Sequence, residues 1–267
     1  LAVNVHWLPD KISSVVGELP FKVQVFHEER IRGTAGGVAG ARAALGLEPV
    51  LVVNGDIWGA VPVDGLLEVA HRGPSSGLVL TVSGHHPRGQ GTVGLDAADR
   101  VVRLRGCVVG EEVRGVDYAG VALLSPRLVV ALPEEGCLIG DVAIPALERG
   151  EDVLVHEMPS DFIDVGSLPG YLEANRSWLA EVGTERLAEG LPLAGRVGGG
   201  SYLGPGTSVA PGIELCRSVV GAGAVVEGSG TLDECVIWPG ARVRAPLRRA
   251  VVMGSGQVVH EMTGAGT

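Results

Sequence analysis

The strongest hydrophobic pattern in the chain is Val50-Leu51-Val52-Val53, an aliphatic run that stops abruptly at Asn54-Gly55-Asp56. Such a run predicts a strand buried on both faces of a parallel sheet. Its end has two readings. Asn-Gly is a turn dipeptide, whereas an Asp at the carboxyl end of a parallel strand points into the crevice where open α/β sheets bind ligands. Upstream, Leu1–Val5 and Phe21–Phe26 read as strands. Leu8, Ile12, Val15 and Val16 recur at helical spacing between them, and Val38, Ala41, Ala44 and Leu45 mark a second helix. Strand, helix, strand, helix, strand predicts a doubly wound, mostly parallel, Rossmann-like α/β sheet.

Downstream, Leu66, Leu67, Val69 and Ala70 mark a helix and Gly77–Val82 a buried strand. Residues 92–96 and 100–105 read as a hairpin turning at Ala97-Ala98-Asp99. Val116–Leu124 is a long strand interrupted by Gly120, and a glycine there marks close approach of a ligand or another backbone. Asp141–Leu147 reads as a short helix, Val153–His156 and Asp161–Gly166 as short strands. Ser167 can cap a helix running through Tyr171, Leu172 and Leu179.

From about Leu191 the period changes. Leu203-Gly204-Pro205-Gly206, Val209-Ala210-Pro211-Gly212, Val220-Gly221-Ala222-Gly223 and Ile237-Trp238-Pro239-Gly240 share an aliphatic–x–x–Gly frame. Hexapeptide repeats of this kind predict a β-helix in which each aliphatic position stacks on the next coil. A Gly/Pro-rich linker would not repeat an aliphatic position so regularly. The expected organisation is an α/β domain over 1–182, a linker over 183–198 and a β-helix over 199–262. The end of a solenoid leaves an edge that needs a cap or partner, so a homo-oligomer formed through the β-helix is expected.

Composition changes this picture in two ways. A net charge of −10 over 267 residues argues against nucleic acid or an anionic membrane as the main partner. Cys107, Cys137, Cys216 and Cys235 lack CxxC spacing, and no signal peptide or membrane-length apolar run is seen, which predicts unpaired thiols and a cytoplasmic location. The chain opens inside a strand, so an N-terminal truncation is expected.

Candidate chemistry falls in three places. Gly33-Thr34-Ala35-Gly36-Gly37 opens a helix and offers backbone N–H groups to a phosphate or a nucleobase, or else is a plain helix cap. Asp56 and Asp164 each close a strand near a glycine, and two such carboxylates in one crevice would make a Mg²⁺ site. His85-His86-Pro87 is no metal site, because adjacent side chains on a loop diverge. No Ser-His-Asp or Cys-His arrangement stands out.

Five motifs then resemble, in order, a sugar-1-phosphate nucleotidyltransferase (NDP-sugar pyrophosphorylase). They are Val3-Asn4-Val5-His6, Gly33–Gly37, Leu51–Asp56, Tyr118-Ala119-Gly120 and Asp161–Asn175. Residues 200–260 resemble the left-handed β-helix that several members carry. The resemblance implies Asp56 and Asp164 as Mg²⁺ ligands, Gly33 to Gly37 against the base, and Asn54, Gly120 and Asp141 near the sugar. It implies attack of a sugar-1-phosphate oxygen on the α-phosphorus of an NTP, releasing pyrophosphate without a protein nucleophile. Catalysis would then rest on positioning and charge neutralisation.

The family's G-x-G-x-R-x-x-P signature and its downstream Lys, which hold the triphosphate, occur nowhere in this chain. Their absence implies an inactive chain and a gap in the sheet beside Leu1–Val5. Mannose-1-phosphate guanylyltransferases and glucose-1-phosphate enzymes are the expected types. His85-His86-Pro87-Arg88-Gly89 resembles N-acetylmuramate-1-phosphate uridylyltransferases instead. A non-catalytic regulatory or scaffolding homologue that binds sugar nucleotide is a further alternative. Acyl transfer in the β-helix is disfavoured, since His260 is the only His after residue 156.

Overall fold

The computed structural model describes residues 1–158, 162–182, 196–198 and 200–261. The chain divides into two compact units, Leu1–Phe162 and Ile163–Thr267. The strands of the first are β1 (Ala2–Val5), β2 (Gln24–His27), β3 (Val50–Val53), β4 (Ile57–Trp58), β5 (Leu78–His86), β6 (Val93–Leu95), β7 (Val101–Leu104), β8 (Cys107–Val108), β9 (Arg114–Leu124) and β10 (Leu154–Glu157). Its helices are α1 (Pro9–Gly17), α2 (Gly33–Leu45), α3 (Val63–Ala70), α4 (Pro126–Ala131), a π-helical turn at Leu138–Ala143 and α5 (Ile144–Glu148).

Strand β9 is the axis of this unit. Along one side it pairs antiparallel with β5, which pairs parallel with β10. Its other side is shared end to end: β3 takes Val121–Leu124 and β6 takes Arg114–Val116. The sheet is therefore mixed and not mostly parallel, because β9 runs against β3 and β5 and separates them. The hairpin expected over 92–105 forms as β6–β7, with Asp96 accepting from the N–H groups of Ala98 and Arg100 at the turn.

Alternation in β5 explains the two layers of the core. Leu78, Leu80 and Val82 face Ala35, Val38, Ala146 and Leu147 of α2 and α5, whereas Val79 faces Leu66 and Val69 of α3. Strand β3 departs from the expectation of burial on both faces. Val50 is buried, Leu51 and Val52 are half-buried, and Val53 is 46% exposed. The cause is its pairing. Among the described residues β3 bonds only to β9, and β1 only to β2, so each keeps one unpaired edge.

The second unit holds β11 (Ile163–Asp164), α6 (Leu168–Val182) and the strands β12 (Arg196–Gly198), β13 (Ser201–Leu203), β14 (Ser208–Val209), β15 (Ile213–Cys216), β16 (Val219–Val220), β17 (Val225–Asp233), β18 (Val236–Ile237), β19 (Arg242–Arg248), β20 (Ala250–Val252) and β21 (Val258–His260). Most of the linker expected over 183–198 lies outside the described residues, as does Asp161. Tyr202 pairs in parallel with Val219, Val219 with Val236 and Val236 with Val251, steps of 17, 17 and 15 residues. Strands β14, β15, β17 and β19 stack in parallel as well.

Two-residue strands sort their side chains by alternation. Val220, Ile237 and Val252 point into a core with Ala224, Leu232 and Ala241, whereas Val219, Val236 and Val251 face Leu172 of α6. At one corner Arg217, Glu234 and Arg249 all have positive φ (44°, 53° and 46°) and alternate in charge. Glu234 accepts from Arg217 at 3.1 Å and lies 3.8 Å from Arg249. A left-handed conformation costs a non-glycine residue roughly 1 kcal/mol, which this ion ladder helps to offset. Antiparallel strands β12 and β21 cover the two ends of the β13–β16–β18–β20 stack.

Candidate active site

The shared side of β9 contains a break. Strand β3 ends opposite Val121 and β6 begins opposite Val116, so no strand bonds Asp117–Gly120 on that side among the described residues. Asn54 closes one end, its N–H donating to the Gly120 carbonyl at 2.9 Å. Thr92 closes the other, its Oγ1 accepting from the Tyr118 N–H at 2.8 Å. The break lies at the carboxyl ends of β3 and β5, where α/β folds place their ligands. An apolar hollow of about 650 Å³, lined by Pro49, Val79 and Leu123 among others, lies at the opposite ends of these strands.

Asn54 and Gly120 are thus brought together. Gly120 has φ +75°, and a Cβ on it would come 2.7 Å from Ile57 Cγ1 and 3.4 Å from Asn54 Nδ2. Backbone conformation and close packing both demand glycine there. Gly120→Ala is expected to cost about 2 kcal/mol, from the positive φ and the clash together, read as a lowered urea midpoint at unchanged slope.

Gly33 to Gly37 form the first turns of α2 and not a free loop. The N–H groups of Ala35 and Gly36 donate to the Gly136 carbonyl at 3.0 and 3.4 Å. A Cβ on Gly36 would meet Glu134 O at 2.7 Å, and one on Gly37 would meet Glu28 Oε1 at 3.0 Å. These glycines therefore have packing reasons of their own, and the N–H groups of Ala35 and Gly36 are already engaged. Asp141 lies beside the same loop. Its Oδ2 accepts from the Cys137 N–H at 2.6 Å, capping the π-helical turn, and Gly136 packs against its Cβ. The Cys137 thiol is pushed up by burial, but backbone N–H groups of Gly140 and Ile139 and the Arg105 guanidinium together hold it below its usual value.

Asp56 sits on the exposed Gly55-Asp56 turn after β3, and its carboxylate has no hydrogen-bond partner among the described residues. In the second unit Asp164 is also exposed, with Oδ1 accepting from the Gly166 N–H at 2.7 Å. Exposed carboxylate oxygens are the hard donors that Mg²⁺ takes together with substrate phosphates, so the donor chemistry of both suits the ion. No group of three or more metal-ligating side chains occurs among the described residues, and none of the described helices is long and apolar enough to cross a membrane.

Residues that the periodicity did not single out hold the loop between β5 and β6. Arg103 and Glu112 form a covered ion pair at 2.7 Å. Arg103 also donates to the Gly91 and Gln90 carbonyls, and Glu112 accepts from the Gly89 N–H. His86 Nε2 lies 2.6 Å from Asp117 Oδ2, and Asp117 Oδ1 accepts from the Thr92 N–H at 3.0 Å. Burial pushes the Asp117 carboxyl up, but the bonds from His86 and Thr92 outweigh it and hold the carboxyl below its usual value. The sequence did carry one signal for the first pair: Arg103 stands in the strand Val101-Val102-Arg103-Leu104, where a charge needs a partner.

No family model matches the chain. It is 25% identical over 231 residues to the mannose-1-phosphate guanylyltransferase of Mycobacterium tuberculosis, a match covering 85% of this chain and 62% of that protein. The chain thus spans about three fifths of the length of this curated relative. Its fold is like that of HddC from Yersinia pseudotuberculosis, with a TM-score of 0.54, 17% identity, and coverage of 66% of this chain and 77% of that one. The structure of HddC complexed with GMP-PN matches equally well, at 18% identity. The sequence is thus similar to that of a mannose-1-phosphate guanylyltransferase, and the fold is like that of HddC.

Proposed function

We propose that the chain belongs to a sugar-1-phosphate nucleotidyltransferase that makes an NDP-hexose and pyrophosphate from an NTP and a hexose 1-phosphate. The mannose-1-phosphate guanylyltransferase type is favoured. The observation that carries this reading is the 231-residue similarity to such an enzyme, which is too long to lie within either compact unit alone.

In this reading the break along Asp117–Gly120 receives the sugar, with the Asn54 side chain and the second Asp141 oxygen directed to its hydroxyls. Gly33 and Thr34, the first residues of α2, contact the base. Asp56 of the first unit and Asp164 of the second are each offered as a Mg²⁺ ligand, and Mg²⁺ when bound would neutralise phosphate charge during displacement at the α-phosphorus. The stacked coils of the second unit wind as a left-handed β-helix and carry the contacts of a homo-oligomer. The protein works in the cytoplasm.

Titration of the 267-residue chain with GDP-mannose and Mg²⁺ tests this reading. Binding is expected, and Asp56→Asn or Asp164→Asn should weaken it about tenfold, a loss of about 1.4 kcal/mol. EDTA should remove the same share from the wild type and nothing further from the variants. No G-x-G-x-R-x-x-P sequence is present to hold a triphosphate. The chain by itself should therefore release no pyrophosphate from GTP and mannose 1-phosphate, as a coupled phosphate assay would report. Sustained release would refute that expectation.

A further inference from the structure

We propose that His86 reads the sugar portion of the ligand, accepting a hydrogen bond from a hexose hydroxyl at Nδ1, and that Asp117 is the positioning residue that sets its tautomer. The proposal rests on the nucleotidyltransferase reading and adds to it a residue that contacts the sugar.

The imidazole is held on one edge only. Nε2 faces Asp117 Oδ2 at 2.6 Å. A Cβ on Gly84 would come 3.2 Å from Nε2, and one on Gly91 would come 2.7 Å from Cδ2. Both glycines have positive φ, 74° and 70°. The Nε2–Cδ2 edge is therefore seated in a slot that only small residues permit. Nδ1 lies on the other edge and has no partner among the described residues, with the side chain 34% exposed.

In the neutral imidazole the Asp117 carboxylate, which can only accept, takes the Nε2–H, and this leaves a lone pair on Nδ1. A lone pair fixed in this way suits a hydroxyl donor. Asp117 is itself the first residue of the break in the sheet, three positions along β9 from Gly120, or roughly 10 Å at strand spacing. That span suits one hexose.

The loop that follows His86 is also fixed before any ligand arrives. Arg103 and Glu112 hold Gly89, Gln90 and Gly91 by their backbone groups, and Thr92 is tied to Asp117 and Tyr118. Ligand contacts made from a preorganised element lose little affinity to ordering.

The test is calorimetric titration of the 267-residue chain, wild type and His86→Ala, with GDP-mannose and with GDP. His86→Ala should weaken GDP-mannose at least about fivefold, the worth of one hydrogen bond, and leave GDP unchanged. Equal weakening of both ligands, or of neither, overturns the proposal. Failure of the wild type to bind either ligand overturns the nucleotidyltransferase reading and this proposal with it. Should His86→Ala not fold, ¹⁵N spectra of the wild-type imidazole decide the matter. Nδ1 should be unprotonated and shift on adding GDP-mannose but not GDP, whereas Asp117→Asn should lose the Nε2–H tautomer preference. An unmoved Nδ1 signal, or a tautomer unchanged in Asp117→Asn, overturns it as well.

Discussion

Arg103→Met should destabilise the first unit by about 3 kcal/mol, the low end for breaking a buried ion pair because the cover over this one is thin. The Arg103 side chain is 11% exposed and that of Glu112 5%. Methionine keeps the apolar stem but removes the donors to Glu112, Gln90 and Gly91. Glu112 would keep only the Gly89 N–H, and an uncompensated covered carboxylate is what makes the single change costly. Arg103→Met combined with Glu112→Leu should therefore recover much of the loss. Urea unfolding of the three proteins gives the comparison, and a double variant less stable than Arg103→Met would contradict the argument.

The same pair has a defined pH dependence. The hydrogen bond from Arg103 holds the Glu112 carboxyl below its usual value. A depressed carboxyl contributes stability above its unfolded value, about 4.3, and loses it as pH falls through its folded value. Glu112→Gln should accordingly flatten the acid limb of the stability profile while leaving the alkaline limb alone.

Ile237→Ala should cost the second unit about 3 kcal/mol, within the range for truncating a buried aliphatic side chain. Ile237 is 1% exposed and packs in the core with Val220 and Val252, its partners in the coils on either side. In a stack of coils each layer is stabilised by its neighbours, so a cavity in the middle coil weakens two interfaces at once. Val236→Ala, one residue earlier, should cost less, since fewer atoms are removed and Leu172 of α6 can close over the gap. Equal losses for the two variants would contradict the inward and outward assignment.

Period and order made much of the fold legible. The β3, β5 and β9 strands, the β6–β7 hairpin and the repeated coil positions all follow from local apolar runs and repeats, which a sequence displays directly. Strand pairing does not. Nothing local says that β9 runs against β3 and β5, so the sheet read as mostly parallel, and burial of Val53 was expected where a free edge leaves it exposed. Asn54 and Gly120, which the structure brings together, could be singled out because a strand end and an interrupting glycine are local signals. His86, Asp117, Arg103 and Glu112 were not, because their roles arise from contacts between segments 9 to 31 residues apart. The Gly33–Gly37 segment shows the converse limit. Its glycines suggested an open anion loop, yet three of them pack against Gly136, Glu134 and Glu28.

The central claim is that this chain binds a nucleotide sugar through its exposed carboxylates and the break along β9. Calorimetric titration with GDP-mannose, with and without Mg²⁺, tests it most directly. The account predicts saturable, Mg²⁺-strengthened binding that Asp56→Asn weakens about tenfold. Absence of binding to GDP-mannose and to every other NDP-hexose, or binding indifferent to both Mg²⁺ and Asp56, would contradict it.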